Sequence, residues 1–144
     1  MSFKKVLIAG QEGMVGSAVL KVLKKENFKI INCRRENLNF LDQSKVNRWF
    51  KKHKPDIVIN AAGKVGGILD NLVHPSDYIY ENVMIGFNLV HASLNNGVNK
   101  FINLGSVSNY PGKTKIPIKE NYLLSSPLEK TNEAYAISKI ATIK

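Results

Sequence analysis

Three glycines between a short apolar strand and a helix constrain the fold of this chain more than any other feature. Residues 5–9 form an apolar run typical of a buried strand, and the glycines follow it in a Gly-x-x-Gly-x-x-Gly spacing. Glycine permits a tight turn there and lets the backbone approach a pyrophosphate at the N-terminus of the helix. The pattern therefore predicts a dinucleotide-binding loop. Its residues are Gly10, Gln11, Glu12, Gly13, Met14, Val15 and Gly16.

Strand and helix patterns alternate along the whole chain, which predicts an α/β fold, a doubly wound parallel sheet of the Rossmann type. Residues 107–130 carry several prolines and predict loops before a last helix. The 144 residues suffice for one buried core, so we expect one dinucleotide-binding domain at 1–144, incomplete at its C-terminus. Further strands are predicted at 28–33, 57–60 and 101–104, and helices at 14–23, 42–52 and 75–95.

The charge of the chain is strongly positive but poorly organised for nucleic acid. The net charge is +10, from 21 Lys and Arg against 11 Asp and Glu. The basic residues are scattered, with a modest concentration at 45–54, and aromatic residues do not alternate with them. This distribution disfavours nucleic-acid binding. It is compatible with a solvated surface or with a basic mouth for a phosphorylated ligand.

The cysteine content and the hydropathy of the chain indicate a cytoplasmic protein. The single cysteine, Cys33, excludes an intrachain disulfide and fits a reducing compartment. No apolar run approaches the roughly 20 residues of a membrane span. The first five residues, Met1 to Lys5, lead directly into the first strand and do not resemble a signal peptide.

The end of the second predicted strand bears on the identity of the dinucleotide. An NAD site usually has a carboxylate there for the ribose 2′-hydroxyl, whereas arginine accommodates the 2′-phosphate of NADP. Arg34 and Arg35 occupy this place and favour NADP(H). Glu36 remains an alternative, since it could serve as a displaced carboxylate.

Small residues follow the third and fourth predicted strands, at the carboxyl edge where open α/β sheets bind ligands. Ala61 and Ala62 would let the backbone pass close to a bound cofactor, although a close contact between helix and strand would also explain them. Leu104 and Gly105 end the fourth strand and are expected to line the same cofactor site.

A tyrosine and a lysine near the end of the chain form a candidate reacting pair. Tyr135 and Lys139 are four residues apart, so they share one face of a helix about one turn apart. An ammonium beside a phenol favours the phenolate, so Tyr135 could transfer a proton near neutral pH. Ser106, after the fourth strand, could hydrogen-bond a substrate carbonyl, although a turn or cap also explains a serine there.

Taken together, these motifs resemble the extended short-chain dehydrogenase/reductase superfamily. Within it, the chain is similar to the GDP-L-fucose synthase family, whose members are GDP-4-keto-6-deoxymannose 3,5-epimerase/4-reductases. Three segments carry the resemblance: residues 9–18 (AGQEGMVGSA), 64–68 (KVGGI) and 131–140 (TNEAYAISKI). The first of these motifs is shared widely among nucleotide-sugar enzymes, whereas the second and third are more specific to this family.

The resemblance implies an NADP(H)-dependent enzyme that epimerises C3 and C5 of a GDP-4-keto sugar and then reduces C4. It makes Tyr135 the general acid for the C4 oxygen, Lys139 the residue that holds the nicotinamide ribose, and Ser106 the residue that orients the keto group. It further implies that Arg35 contacts the 2′-phosphate. The expected partners are a nucleotide-sugar substrate and a second copy of the chain, with no nucleic acid and no membrane.

Several positions depart from the family pattern. Ser108 stands where the family has a cysteine implicated in epimerisation, and a hydroxyl deprotonates far less readily than a thiol. Ser108 is therefore a weak catalytic candidate. Glu12 replaces a basic residue near the phosphates, which should weaken cofactor binding, and residues 109–112 read Asn-Tyr-Pro-Gly where the family has Ile-Tyr-Pro-Lys.

The family's second acid/base, a histidine, has no counterpart in the chain. His53, His74 and His91 do not match its position, and we expect none of them to bind a metal. Two alternatives to the epimerase/reductase therefore stay open. The chain could be a non-catalytic NADP-binding or dimerisation module, or a related epimerase or dehydratase that uses another nucleotide sugar.

Overall fold

The computed structural model describes residues 4–144, so Met1 to Phe3, used above to argue against a leader peptide, lie outside the described residues. The strands are β1 (Lys5–Ala9), β2 (Lys29–Ile31), β3 (Ile57–Asn60) and β4 (Lys100–Asn103). The helices are α1 (Met14–Leu23), α2 (Gln43–His53), α3 (Ile68–Val73), α4 (Pro75–Asn95) and α5 (Glu133–Ile143). Short 3₁₀ turns lie at Val107–Asn109, Glu120–Tyr122 and Lys130–Asn132.

The chain divides into two compact units. The first runs up to Gly63 and includes Met84–Leu104, and it contains the sheet, α1 and α2. The second consists of Lys64–Val83 and Gly105–Lys144, and it contains α3 and α5. The expectation of one domain over 1–144 stays a prediction.

The sheet of the first unit is parallel throughout, with the strand order β2-β1-β3-β4. The chain passes from β1 to β2 on one side and then crosses to β3 on the other side. The order therefore reverses between β1 and β3, and in open parallel sheets ligands bind outside the carboxyl ends of the strands at such a point. Ala9 pairs with Asn60 there, so the loops that begin at Gly10 and Ala61 start side by side.

Both faces of this sheet are covered by helices. Leu7 and Val58 point to one face, where they pack with residues of α2 and α4, including Phe50 and Leu89. The alternate residues Val6, Ile8 and Ile59 point to the other face, where Val19, Leu20 and Leu23 of α1 pack against them. The predicted doubly wound α/β fold is confirmed.

The structure differs from the sequence-based expectation in three places. The strand predicted at 28–33 is shorter, because β2 contains only the 3 residues Lys29–Ile31. The segment after β3, where no helix was predicted, forms α3, a helix of only six residues that is too short to show an apolar period. In α1, Met14 is 88% exposed and Val22 is 60% exposed, so part of its apolar pattern lies outside the core.

Candidate functional site

The loop after β1 is shaped so that only glycine fits at two of its positions. Gly10 has a φ of +79°, and a Cβ placed on it would lie 2.7 Å from the carbonyl oxygen of Ala61. A Cβ on Gly16, which is buried in α1, would overlap the carbonyl oxygen of Gly10. The backbone at Gly10 is therefore in direct contact with the backbone at Ala61 and at Gly16. These contacts are possible because Gly10 and Gly16 have no Cβ.

The N-terminus of α1 presents backbone N–H groups without competing side chains. Gly13 is the N-cap, its N–H donates to the carbonyl of Gly10 at 3.0 Å, and it has no side chain to cap the first turn. No acidic residue lies in that turn. Met14 and Val15, the first helical residues, are both exposed. Unpaired N–H groups at a helix N-terminus favour an anion, so this loop fits a pyrophosphate.

Gln11 connects this loop to the end of β2. Its side chain is buried, and its amide donates a hydrogen bond to the side-chain oxygen of Asn32. Gln11 and Asn32 line a cavity of about 340 Å³ together with Glu12, Lys24 and Arg34. The structure thus brings the glycine loop and Arg34 to one cavity in the first unit. Arg34 and Arg35 together are called the arginine segment below.

The arginine segment is already occupied by carboxylates of the chain itself. Glu12 Oε2 accepts a hydrogen bond from the backbone N–H of Arg35 at 3.3 Å, and Glu12 Oε1 lies 4.0 Å from Arg34 Nε. Glu36 Oε1 lies 3.7 Å from Arg34 Nη1. All of these side chains are largely exposed, so each ion pair is weak.

The residues predicted after β3 and β4 in the first unit occupy the expected strand ends. The N–H of Ala61 donates to Ala9 at 2.9 Å, and the N–H of Ala62 donates to the side chain of Asn60 at 3.2 Å. Leu104 donates its N–H to the carbonyl of Asn60 at 3.2 Å. Ala61 touches the glycine loop, as described above, whereas Ala62 also packs against the core under α4.

Ser106 and Ser108 lie in one hydrogen-bonded turn in the second unit. Ser106 caps the 3₁₀ turn at Val107–Asn109, and its Oγ accepts the N–H of Ser108 at 3.2 Å. Ser108 Oγ in turn accepts the side-chain amide of Asn132 at 3.1 Å. Gly105 and Ser106 line a cavity of about 490 Å³, and Ser108 does not.

The predicted helix α5 carries Tyr135 and Lys139 one turn apart and packs against the turn that contains Ser108. Tyr135 is half-buried. Lys139 is only 8% exposed, and its burial lowers the pKa of its ammonium. The pair and the Ser106 turn are thus brought into the same unit, although neither Tyr135 nor Lys139 lines the 490 Å³ cavity.

A second tyrosine, missed by the sequence analysis, supports Tyr135. Tyr78 of α4 is fully buried, and its ring meets that of Tyr135 edge-to-face with centroids 6.5 Å apart. Its hydroxyl donates to Asp70, and this hydrogen bond, together with burial, raises the pKa of Tyr78. Gly66 is required beside it, because a Cβ there would overlap the Tyr78 hydroxyl.

The Lys64–Ile68 motif is held to α4 by an asparagine that was also missed. The side chain of buried Asn82 accepts the N–H of Lys64 at 2.9 Å and donates to the Lys64 carbonyl at 3.0 Å. Lys64 Nζ lies 3.0 Å from Glu81 and 3.4 Å from Asp77, and the first of these hydrogen bonds is the main reason that its pKa is raised. The sequence signal for the contact between Lys64 and α4 was the spacing of the polar residues Asp77, Glu81 and Asn82 along this helix.

Within residues 4–144, no three His, Cys, Asp or Glu side chains are arranged to hold a metal ion. None of the helices formed by those residues is both long and apolar enough to cross a membrane.

Known proteins provide close matches to this chain. A GDP-L-fucose synthase from Sinorhizobium fredii is 45% identical over 141 residues, which are 98% of this chain and 45% of that protein. The GDP-L-fucose synthase of Escherichia coli is 46% identical over 145 residues, covering 100% of this chain and 45% of that protein. The structure of a GDP-mannoheptose C4 reductase from Campylobacter jejuni with NADP bound gives a TM-score of 0.93 at 35% identity, over 99% of this chain and 46% of that one.

These matches share two properties. The chain spans about 45% of the length of the curated relatives it matches. The model of the NAD dependent epimerase/dehydratase family matches residues 6–144 and thus includes both the glycine loop and the tyrosine–lysine pair. The chain belongs to the NAD dependent epimerase/dehydratase family.

Proposed function

We propose that this protein is an NADPH-dependent epimerase/reductase that acts on a GDP-4-keto-6-deoxymannose-type sugar, as GDP-L-fucose synthases do. The observation that carries the proposal is the pairing of Tyr135 with the buried Lys139 on α5, beside the turn capped by Ser106. The two GDP-L-fucose synthases, 45% and 46% identical over nearly the whole chain, support the choice of substrate.

The cofactor we propose is NADP(H), held by the first unit. The glycine loop provides the pyrophosphate cradle, and Arg34 and Arg35 provide the positive charge for a 2′-phosphate. The NADP bound to the C. jejuni reductase, 35% identical to this chain, supports the assignment.

The second unit would supply the proton and orient the substrate. Bound NADPH supplies the hydride that reduces C4 of the sugar. Tyr135 donates the proton to the C4 oxygen, and Lys139, one helical turn away, would hold the nicotinamide ribose. Ser106 Oγ already accepts the N–H of Ser108, so its own hydrogen is free to bond the C4 oxygen and fix its orientation.

The test is replacement of Tyr135 by Phe, assayed with NADPH and the GDP-4-keto sugar. We expect turnover to fall by about 10² or more, because the proton donor is lost, while NADPH binding stays unchanged. Tyr80→Phe is the matched control, since Tyr80 is exposed on α4 and should leave turnover intact. Full turnover by Tyr135→Phe would refute the assignment, and turnover by the natural chain would refute the non-catalytic alternative.

A second candidate function is reduction of C4 without epimerisation of C3 and C5. It is favoured by Ser108, a hydroxyl that accepts a hydrogen bond from Asn132 and is a weak base where the family has a cysteine. The similar C. jejuni protein is itself a C4 reductase. Deuterium uptake from heavy water at C3 and C5 of the product distinguishes the two, because only epimerisation exchanges those protons. A Ser108→Cys variant that gains uptake would identify Ser108 as the cause.

We also propose a homodimer that forms through α4. Phe87, Val90 and Leu94 are spaced three to four residues apart on this helix and are 48%, 39% and 78% exposed. A stripe of large apolar side chains at helical spacing is typical of a helix packed against a partner.

A cytoplasmic location is consistent with the free, buried thiol of Cys33.

A further inference from the structure

Glu12 occupies the place where a dinucleotide site reads the adenosine ribose. The end of β2 is where an acidic residue binds the 2′-hydroxyl of NAD or an arginine accommodates the 2′-phosphate of NADP. The sequence suggested Glu36 as the only acidic candidate at this strand end. In the structure, however, the carboxylate that contacts the backbone there is that of Glu12, which accepts the Arg35 N–H at 3.3 Å.

The two carboxylates near Arg34 differ in what they contact. Glu12 lies 4.0 Å from Arg34 Nε and also lines the 340 Å³ cavity shared with Gln11 and Asn32. Glu36 lies 3.7 Å from Arg34 Nη1, is 70% exposed in its side chain and does not line that cavity. A phosphate that approaches Arg34 from the cavity would therefore meet the charge of Glu12 before that of Glu36.

A carboxylate in this position affects the two dinucleotides in opposite ways. It repels the 2′-phosphate of NADP(H) and competes with it for Arg34 and for the Arg35 N–H. It can accept a hydrogen bond from the 2′-hydroxyl of NAD(H), which carries no charge at that position. The free energy at stake is modest, because both Glu12 and Arg34 are more than half exposed.

We propose that Glu12 is a specificity-determining residue that competes with the 2′-phosphate for the Arg34–Arg35 segment and so allows the site to accept NAD(H) as well as NADP(H). This inference rests on the proposed dinucleotide-binding function. It assigns to Glu12 a role in the choice between NAD(H) and NADP(H), beyond the general weakening of cofactor binding expected from the sequence.

The test is calorimetric titration of the natural chain and of Glu12→Gln with NADPH and with NADH. Loss of the charge should tighten NADPH binding roughly three- to tenfold and leave NADH binding unchanged or weaker, so that the ratio of the two dissociation constants shifts toward NADPH. Glu36→Gln is the matched control, since it also removes one negative charge beside Arg34. It should change the ratio by less than about twofold.

The outcomes separate this inference from the function on which it rests. If the natural chain is folded but binds neither dinucleotide, the cofactor assignment fails and the inference fails with it. If the natural chain binds but Glu12→Gln leaves the ratio unchanged, only the inference is overturned. An equal shift in Glu36→Gln would also overturn it, because the effect would then be one of overall charge.

Discussion

At the scale of single residues, Gly10 combines a backbone constraint with a packing constraint. Its φ of +79° is unfavourable for any residue with a Cβ, and that Cβ would also press on Ala61 at 2.7 Å. We expect Gly10→Ala to lower the free energy of unfolding by about 2–4 kcal/mol, measured by urea denaturation. Gly97→Ala is the control, because Gly97 has a φ of +68° but no neighbour within 4 Å, and it should cost only about 1 kcal/mol. Equal losses would contradict the importance of the Ala61 contact.

Lys139 should make stability depend on alkaline pH. Burial lowers its pKa below the ordinary value of 10.5, so between the folded pKa and 10.5 the unfolded state binds more protons and stability rises with pH. The cost of burying the ammonium is therefore largest below that window and disappears as the pH approaches 10.5.

The corresponding prediction concerns Lys139→Met, which keeps the length of the side chain without the charge. Its Tm should exceed that of the natural chain by roughly 3 °C at pH 7, and the difference should narrow as the pH rises to 10. Lys51→Met, at an exposed helical position, should show no such trend. A difference that widens with pH would contradict the burial of an ammonium.

At the scale of elements, α2 begins at a side-chain cap. Asp42 accepts the N–H of Lys45 at 2.9 Å, and this hydrogen bond lowers the pKa of Asp42. Because the folded pKa is lower, the stabilisation is present above the ordinary value of 3.8 and is lost as the pH falls through the folded value. Asp42→Ala should therefore have a lower Tm at pH 7, and the loss should shrink below about pH 4.

The measurement is a thermal scan at several pH values, with Asp42→Asn as the control. Asparagine caps helices nearly as well as aspartate but does not titrate, so its Tm difference from the natural chain should stay small at pH 7. A difference for Asp42→Ala that does not change with pH would show that the carboxylate charge is not involved.

The elements that the sequence predicted are those with local signals. β1, α2, β3 and α4 begin and end within one residue of the expected positions. Asp42 caps α2, Pro55 precedes β3, and α4 begins at Pro75 and ends just before Asn96 and Gly97, so these boundaries carry a local signal. β2 is shorter than expected, and α3 is too short for its apolar residues to show the helical period that predicts a helix.

The candidate site was predictable to the same extent. Gly10 and the helix that carries Tyr135 and Lys139 follow from spacing along the chain. The contact of Glu12 with Arg35 and of Tyr78 with Tyr135 joins residues 23 and 57 positions apart in the sequence. Such contacts depend on tertiary packing, which one sequence without homologues does not reveal.

At the scale of the whole molecule, the exposed stripe of α4 predicts how the chain associates. Phe87→Lys places a charge within the stripe, so it should shift the protein from dimer to monomer in sedimentation experiments without loss of helix content. Leu72→Lys is the control, because Leu72 is 51% exposed on α3, outside the stripe, and should leave the dimer intact. A monomeric natural chain, or a dimeric Phe87→Lys, would contradict the proposed interface.

Whether this 144-residue chain binds a dinucleotide is best decided by a calorimetric titration of the natural chain with NADPH. We expect saturable binding of one NADPH per chain, at least as tight as that of NADH, because the glycine loop and the arginine segment both lie in the sheet-containing unit. A chain that unfolds cooperatively on heating but produces no binding heat with NADPH would contradict it.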